Sequence, residues 1–326
     1  YSWGQINGET KSDNQLNVTQ PLGSFFTPYY KNALVKSMMT TSGHYRDMVA
    51  KEITAEVKRA WAYYQYAYNI CALYKSQIQL ADRLQKAGML RYEQGDITAL
   101  QRNMTTSLAA DIRTKLMKAE EELQIAGRRF GWACYSSTPI LPSDTALVLM
   151  TQKVDLALSN AHLQYFRSMA NEKQAAFKLE KSKFYPEFSV GYVHQKIAPL
   201  TGLNSWMVGM SFPLFFGAQA SRTKQAHIDA MIANTEAEDN IRMLNNKVAE
   251  LNSKLKQENI NYYQKAALPE AESLLKNAQV QFKESETDIV EFVQSINSAY
   301  EIRSSYTNAV YDYNVSLIEL ELYTEQ

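Results

Sequence analysis

The sequence predicts a mainly α-helical chain with a small β part. Long antiparallel coiled-coil hairpins would form an α-barrel, and two β-hairpins would contribute four strands to a shared 12-stranded trimeric β-barrel. Three observations predict it. Helix breakers are few, 12 glycines and 8 prolines in 326 residues, and they fall in clusters that leave long intervals clear. Two stretches of about ten residues alternate large apolar with small or polar side chains, the period of a strand. The order of elements occurs twice.

The first clear interval runs from Pro28 to Ala87, interrupted only by Gly43. Thr27-Pro28 suits a helix start, a hydroxyl cap followed by proline in the first turn. Ile53, Val57, Ala60, Tyr64, Ala67, Cys71, Tyr74 and Ile78 alternate steps of four and three, the seam of a coiled coil. Such a helix is roughly 90 Å long. It should end near Gly88, with Tyr92 to Thr98 as a tight turn and Asp96 or Thr98 capping a second helix to about Phe130. Gly131 to Pro142 reads as a linker, and a helix is expected from Ser143 or Asp144 to Lys183. A second long helix is expected from Ala218 to Glu284, with Leu244, Val248, Leu251 and Leu255 as its seam and a kink or break at Pro269. A last helix should run from Asp288 to Tyr323.

Between these helices lies a β texture. Phe188, Val190 and Tyr192, then Trp206, Val208, Met210 and Phe212, make one face. Ser189, Gly191, Gln195, Ser205, Gly209 and Ser211 make the other. Strands of about ten residues cross a bilayer when tilted. A first hairpin is expected from strands at Tyr1–Ile6 and Gln15–Leu22, with Gly8–Asn14 as the turn.

The second half re-enacts the first. Asn17 to Leu22 parallels Gly209 to Leu214 at an offset of 192, and Ala81 to Lys86 parallels Ala271 to Lys276 at 190. By the same logic a helix of roughly 40 residues is expected upstream of Tyr1. Four strands cannot close a barrel, and an open sheet edge in lipid leaves backbone groups unpaired. Three copies supply 12 strands, a workable pore. The expected organisation is a first β-hairpin at 1–22, a first long helical hairpin at 23–130, an equatorial linker at 131–145, a helix at 146–183, a second β-hairpin at 184–215 and a second long helical hairpin at 216–326.

Other function classes find little support. Lys+Arg and Asp+Glu are both 34, so no basic excess attracts nucleic acid. Cys71 and Cys134 read as buried thiols, with a disulfide left open. No run of 18 apolar residues marks a membrane helix. His44, His162, His194 and His227 are isolated, so no catalytic residue, metal ligand or cofactor is expected. Met38-Met39 read as helix packing, and Met207 and Met210 as barrel-facing residues.

Three stretches resemble the TolC-like outer membrane factor family, and within it the heavy-metal CusC/CzcC-like branch. Leu179 to Ser189 looks like that family's helix-to-strand junction, and Val208 to Ala218 like its return from strand to helix. Arg91-Tyr92-x-x-Gly95-Asp96 and the run Phe282 to Phe292 look like its two hairpin tips, though Ser285 stands where the family has glycine. The resemblance implies a homotrimer in the outer membrane and periplasm of a Gram-negative bacterium. It implies a passive export conduit, in contact with outer membrane lipid, for heavy-metal cations. It implies docking to a periplasmic adaptor (membrane fusion) protein and an inner-membrane RND-type pump. Adaptor contact would fall on Arg91, Tyr92, Gly95, Asp96, Thr98, Ser285, Glu286 and Asp288, and the pore constriction on Glu291 and Gln294. The alternatives are a multidrug or protein-export channel and, in a different class, a soluble coiled-coil scaffold.

Overall fold

A computed structural model describes the chain except residues 1, 7–8, 25, 139, 152–160, 198–199, 213–216, 258–259, 285–286 and 325–326. It divides into two compact units, Tyr1–Met48 with Ala161–Met243 and Val49–Asn160 with Leu244–Gln326.

The first unit holds an antiparallel sheet of order β1-β2-β3-β4, from Ser2–Ile6, Glu9–Gly23, Glu187–Ile197 and Leu200–Ser211. Cross-strand pairs put Phe188 beside Met210, Val190 beside Val208 and Tyr192 beside Trp206 on one face. Ser189 beside Gly209 and Gly191 beside Met207 fall on the other. Strand β2 adds Val18 next to Tyr192 and Leu16 next to His194 on the apolar face. That face is open: Trp206 and Val208 are 77% and 78% exposed. The small residues permit close pairing, since a Cβ on Gly209 would come within 2.5 Å of the Ser189 hydroxyl.

The first hairpin differs from expectation. The segment Gly8–Asn14, expected as its turn, is strand from Glu9 onward, and Ile6 pairs with Glu9. Its polar side chains imitate a loop, and the two-residue connection at 7–8 has the sequence Asn-Gly, a pair favoured in tight hairpins. A register shift at Pro21/Gly23 accommodates the proline, which cannot donate to a ladder.

Helix α1 spans Thr27–Glu93, α2 Ala99–Ala133 and α3 Ala161–Ser182. The expected helix start near Ser143 or Asp144 is corrected. Asp144 to Thr151 form neither helix nor strand, residues 152–160 lie outside the described residues, and the described helix begins at Ala161. Distant amides hold that stretch open. Asn69 Nδ2 donates to Thr145 O at 2.8 Å. Asn314 accepts from Met150 N at 2.9 Å and donates to Val148 O at 2.9 Å. Backbone groups satisfied this way have no need of a helix.

In the second half α4 spans Gly217–Gln257, followed by a three-residue α5, Ile260–Tyr262, and a π turn, Tyr263–Ala267. Then come α6, Leu268–Lys283, and α7, Ile289–Tyr323. The π turn sits just before Pro269, which is at the start of α6 and lacks the N–H an α-turn would use.

The helices of the second unit pack through small side chains. Ala55 and Ala62 of α1 meet Ile318 and Leu322 of α7. Tyr64 and Ala67 of α1 meet Ala126 of α2. A larger cluster joins Ala81, Leu84, Leu108, Ile112, Ala278, Phe292 and Ile296 from four helices. The expected seam of α1 is therefore only half right: Ile53 is exposed, while Ala55 and Ala62 are buried. A helix with neighbours on two sides needs two stripes, and alanines allow the closer approach. The α4 seam is as read, with Val248 and Leu251 against Leu320. Met38 and Met39 are exposed rather than packed. Cys71 and Cys134 are both free thiols.

Two predictions follow from these contacts. A Cβ on Gly88 would lie 2.7 Å from Oγ1 of Thr105, which is fully buried. Gly88→Ala should lower stability by about 1–3 kcal/mol through overpacking. Adding Thr105→Ala should recover most of it, read as coupling in a double-mutant cycle of urea melts. At the end of α3, Glu180 accepts from Lys183 Nζ at 2.6 Å and from Gln219 Nε2 at 3.0 Å. Desolvation raises its pKa, but the Lys183 and Gln219 hydrogen bonds and the charges of Lys183 and Arg222 outweigh it, so the net shift is downward. A lowered carboxyl pKa gives stability that is present above the unfolded-state pKa and lost as pH falls through the folded one. The thermal-stability difference between the chain and Glu180→Gln should be full at neutral pH and shrink on acidification below the ordinary glutamate range.

Candidate functional site: the helix turns and the polar line of the last helix

Both features lie in the second unit. Helix α1 ends in a Schellman motif. Gly95 has φ +80°, its N–H donates to Tyr92 O at 3.0 Å, and Asp96 N–H donates to Arg91 O at 2.9 Å. Only glycine takes that conformation without strain. Thr98 then caps α2 in a reciprocal box. Its Oγ1 accepts from Gln101 N at 3.2 Å, while Gln101 Oε1 accepts from Thr98 N at 2.8 Å. Asp288 is the N-cap of α7, accepting from Ile289 N at 2.6 Å. Thr98 and Asp288 stand 190 residues apart, the repeat offset.

The two turns are tied together. Gln101 Nε2 donates to Asp288 Oδ1 at 2.8 Å, so one amide completes a cap with its oxygen and reaches the other turn with its nitrogen. The Arg91 guanidinium lies 4.8 Å from the centre of the Phe282 ring, and Phe282 stacks on Phe292 at 4.4 Å. Arg102 covers Tyr92 at 4.4 Å. Of the residues singled out in the sequence, Arg91, Tyr92, Gly95, Asp96, Thr98 and Asp288 are brought to these turns, while Ser285 and Glu286 lie outside the described residues. Sequence reasoning missed Gln101. The signal was there, since Thr98-x-x-Gln101 is a capping-box spacing.

Glu291 and Gln294 are exposed on α7 and belong to a longer pattern. The exposed residues of this helix are Glu291, Gln294, Ser298, Glu301, Ser305, Asn308 and Asp312. They advance by three and four in alternation, so they form one line along the helix. All are polar, three are acids and none is a base. Burial pushes the Asp312 carboxyl up. Lys115 of α2, which pairs with Asp111 at 2.7 Å, lies within electrostatic reach of Glu301. Helix α2 is different: it exposes Leu100, Met117, Ile125 and Trp132.

Other features are chemically quiet. An open-sided cavity of about 830 Å³ is lined by Tyr64, Lys75, Glu120, Arg128, Trp132 and Leu141, and Lys75 pairs with Glu120 at 3.4 Å. Among the described residues no three His, Cys, Asp or Glu side chains converge as metal ligands, and no helix is long and apolar enough to cross a membrane. Replacing Gln101 with leucine should remove half a cap and the link between turns together. The expected cost is about 1 kcal/mol, with faster amide hydrogen exchange at Thr98 and Ile289 and unchanged exchange at the buried Leu317.

No family model matches the sequence, and no curated protein matches it. Solved structures do. The outer membrane protein VceC from Vibrio cholerae superposes with a TM-score of 0.80 at 14% identity, over 99% of this chain and 85% of that one. The Campylobacter jejuni outer membrane channel CmeC gives 0.80 at 10% identity, over 98% and 75%. CusC, described in terms of transmembrane channel formation, gives 0.78 at 15%, over 98% and 80%. Across almost its whole length, this chain has the fold of these outer membrane channel proteins.

Proposed function

We propose that the chain is one protomer of a homotrimeric outer membrane channel of the TolC-like outer membrane factor family. It serves as the passive exit duct of a tripartite efflux pump, carrying cations, heavy-metal ions among them, from periplasm to exterior. The observation that carries the reading is the four-stranded sheet. One face is apolar and exposed, the other is mostly small or polar with Met207 among its few large apolar residues, and four strands are too few to close on themselves. In water such a face invites aggregation; around a pore it meets lipid, and β1 and β4 of successive copies pair edge to edge.

The polar line of α7 supports the duct. In a trimer each acid becomes a ring of three, so Glu291, Glu301 and Asp312 make three successive negative rings that favour cations and repel anions. Glu291 and Gln294 are nearest the turn and form the constriction. The exposed apolar residues of α2 suit contact with neighbouring protein. The turns at Arg91–Thr98 and Asp288 receive the periplasmic adaptor, with Tyr92, Leu100 and Met89 offering apolar contact and Asp96 a charge.

The test is conductance. The full chain in planar bilayers should form trimeric pores selective for potassium over chloride. Glu301→Gln with Asp312→Asn should lower that selectivity several-fold while leaving pore formation intact. Pores with no cation preference, or no pores from a correctly folded trimer, would overturn the reading. Transport of a copper ion against a dye in a strain lacking the channel separates metal from drug export.

A further inference from the structure

The helix ends that adjoin the sheet carry a charge pattern that the duct itself does not require. From Thr27 to Arg46, α1 contains no acid; from Gly217 to Ile228, α4 contains none either. Over the same turns Lys31, Lys36, Arg222 and Lys224 are exposed, and at the end of α3 so are Lys181 and Lys183. The one acid among them, Glu180, is engaged by Lys183 and Gln219. Neither α1 nor α4 has an acid in its first turn, where the helix dipole favours one. The first charges met along α1 and α4 are Lys31 and Arg222, both cations.

These ends lie at one level of the first unit. Gln219 of α4 donates to the backbone oxygen of Glu180 in α3 at 2.9 Å. Phe26, at the start of α1, lies 4.9 Å from the Tyr185 ring just past α3. Between this level and the sheet is a row of exposed aromatics: Phe26, Tyr29, Tyr185 and Phe212. The opposite boundary is marked by Tyr192. Its hydroxyl donates to Asn204 at 2.9 Å, and Asn204 also faces His194 Nδ1 at 2.7 Å, so the polar tip points away from the apolar rows. From Trp206 to Phe212 is roughly 20 Å along a strand, and a strand tilted by about 40° covers only about 15 Å of height. An apolar band of about 25 Å therefore reaches past the strand ends onto the first turn of α1.

We propose that Lys31, Lys36, Lys181, Arg222 and Lys224 form a basic collar that binds the phosphates of anionic phospholipid headgroups in the periplasmic leaflet, with Phe26, Tyr29 and Tyr185 at the acyl boundary above it. The collar rests on the outer membrane reading and adds to it a preferred lipid and a depth. From Phe188 to Tyr192 and from Trp206 to Phe212 the outward rows of the strands carry no cation among their described side chains, and the one exposed acid near their lower end, Glu187, is on the opposite face of β3, so the collar supplies the first cations below the band. Each Lys or Arg near such a surface contributes about 1 kcal/mol, roughly fivefold in affinity.

The full chain is reconstituted in vesicles of phosphatidylcholine alone or mixed with phosphatidylglycerol, then extracted in mild detergent and weighed intact with its retained lipid. Phosphatidylglycerol should be retained in excess over phosphatidylcholine, and the excess should fall with added salt. Lys31→Gln with Arg222→Gln and Lys224→Gln should lower the preference at least about tenfold. In that variant, quenching of Trp206 by acyl-brominated lipid should stay unchanged. Equal retention of both lipids, or a preference unchanged by the triple substitution, overturns the collar. If the unmodified, folded chain shows no Trp206 quenching, the membrane reading itself fails, and the collar with it. Should the triple variant not fold, salt dependence in the unmodified chain decides, and a salt-insensitive preference refutes the proposal.

Discussion

Close packing through alanine is the constraint on which the helical part depends. Ala55, Ala62, Ala67, Ala81, Ala109, Ala126, Ala278 and Ala299 are all buried at helix contacts. A methyl group lets two helix backbones approach until dispersion contacts run along much of their length. Large side chains gather most where four helices meet, around Ile112, Phe292 and Ile296 near the turns. Because the contacts consume so little side chain, each helix keeps a narrow, definable outer face. The polar line of α7 is visible for that reason: everything off the line is at least partly covered.

Periodicity made most of this legible in the sequence. Alternation placed β3 and β4 and sorted their faces; the gaps between glycines and prolines placed α1, α2 and α7 close to their ends. What periodicity could not reach was any segment whose conformation is set by residues far away. Asp144 to Thr151 carry no local breaker after Pro142, and their non-helical form is imposed by Asn69 and Asn314, which are remote in sequence. The misread turn at Gly8–Asn14 has another cause. A polar strand segment offers no alternation, and its composition is that of a loop. At the candidate site, the turn residues were readable from glycine and cap chemistry, while the bridge from Gln101 to Asp288 needed the two turns to be brought together first.

The repeat shows how far two halves with one architecture can diverge. Thr98 and Asp288 are equivalent caps, yet one closes a box with a glutamine and the other receives that same glutamine from outside. The two returning helices differ more. Where α7 exposes only Glu291, Gln294 and their successors, the equivalent positions of α2 include buried Leu108 and half-covered Met104. The duplicated pattern specifies backbone and cap; the exposed side chains differ, all polar on α7 and partly apolar on α2.

Proline supplies the last difference. The residue equivalent to Pro269 in the first half is Gln79, in the middle of unbroken α1. An added residue in an α-helix rotates everything beyond it by about 100°, which would carry Leu275 and Ala278 away from their partners. A π turn holds one residue more than an α turn and hands the helix on in phase. The one at Tyr263–Ala267 is thus a place where an inserted or deleted residue in this arm can be absorbed without turning α6 off its partners.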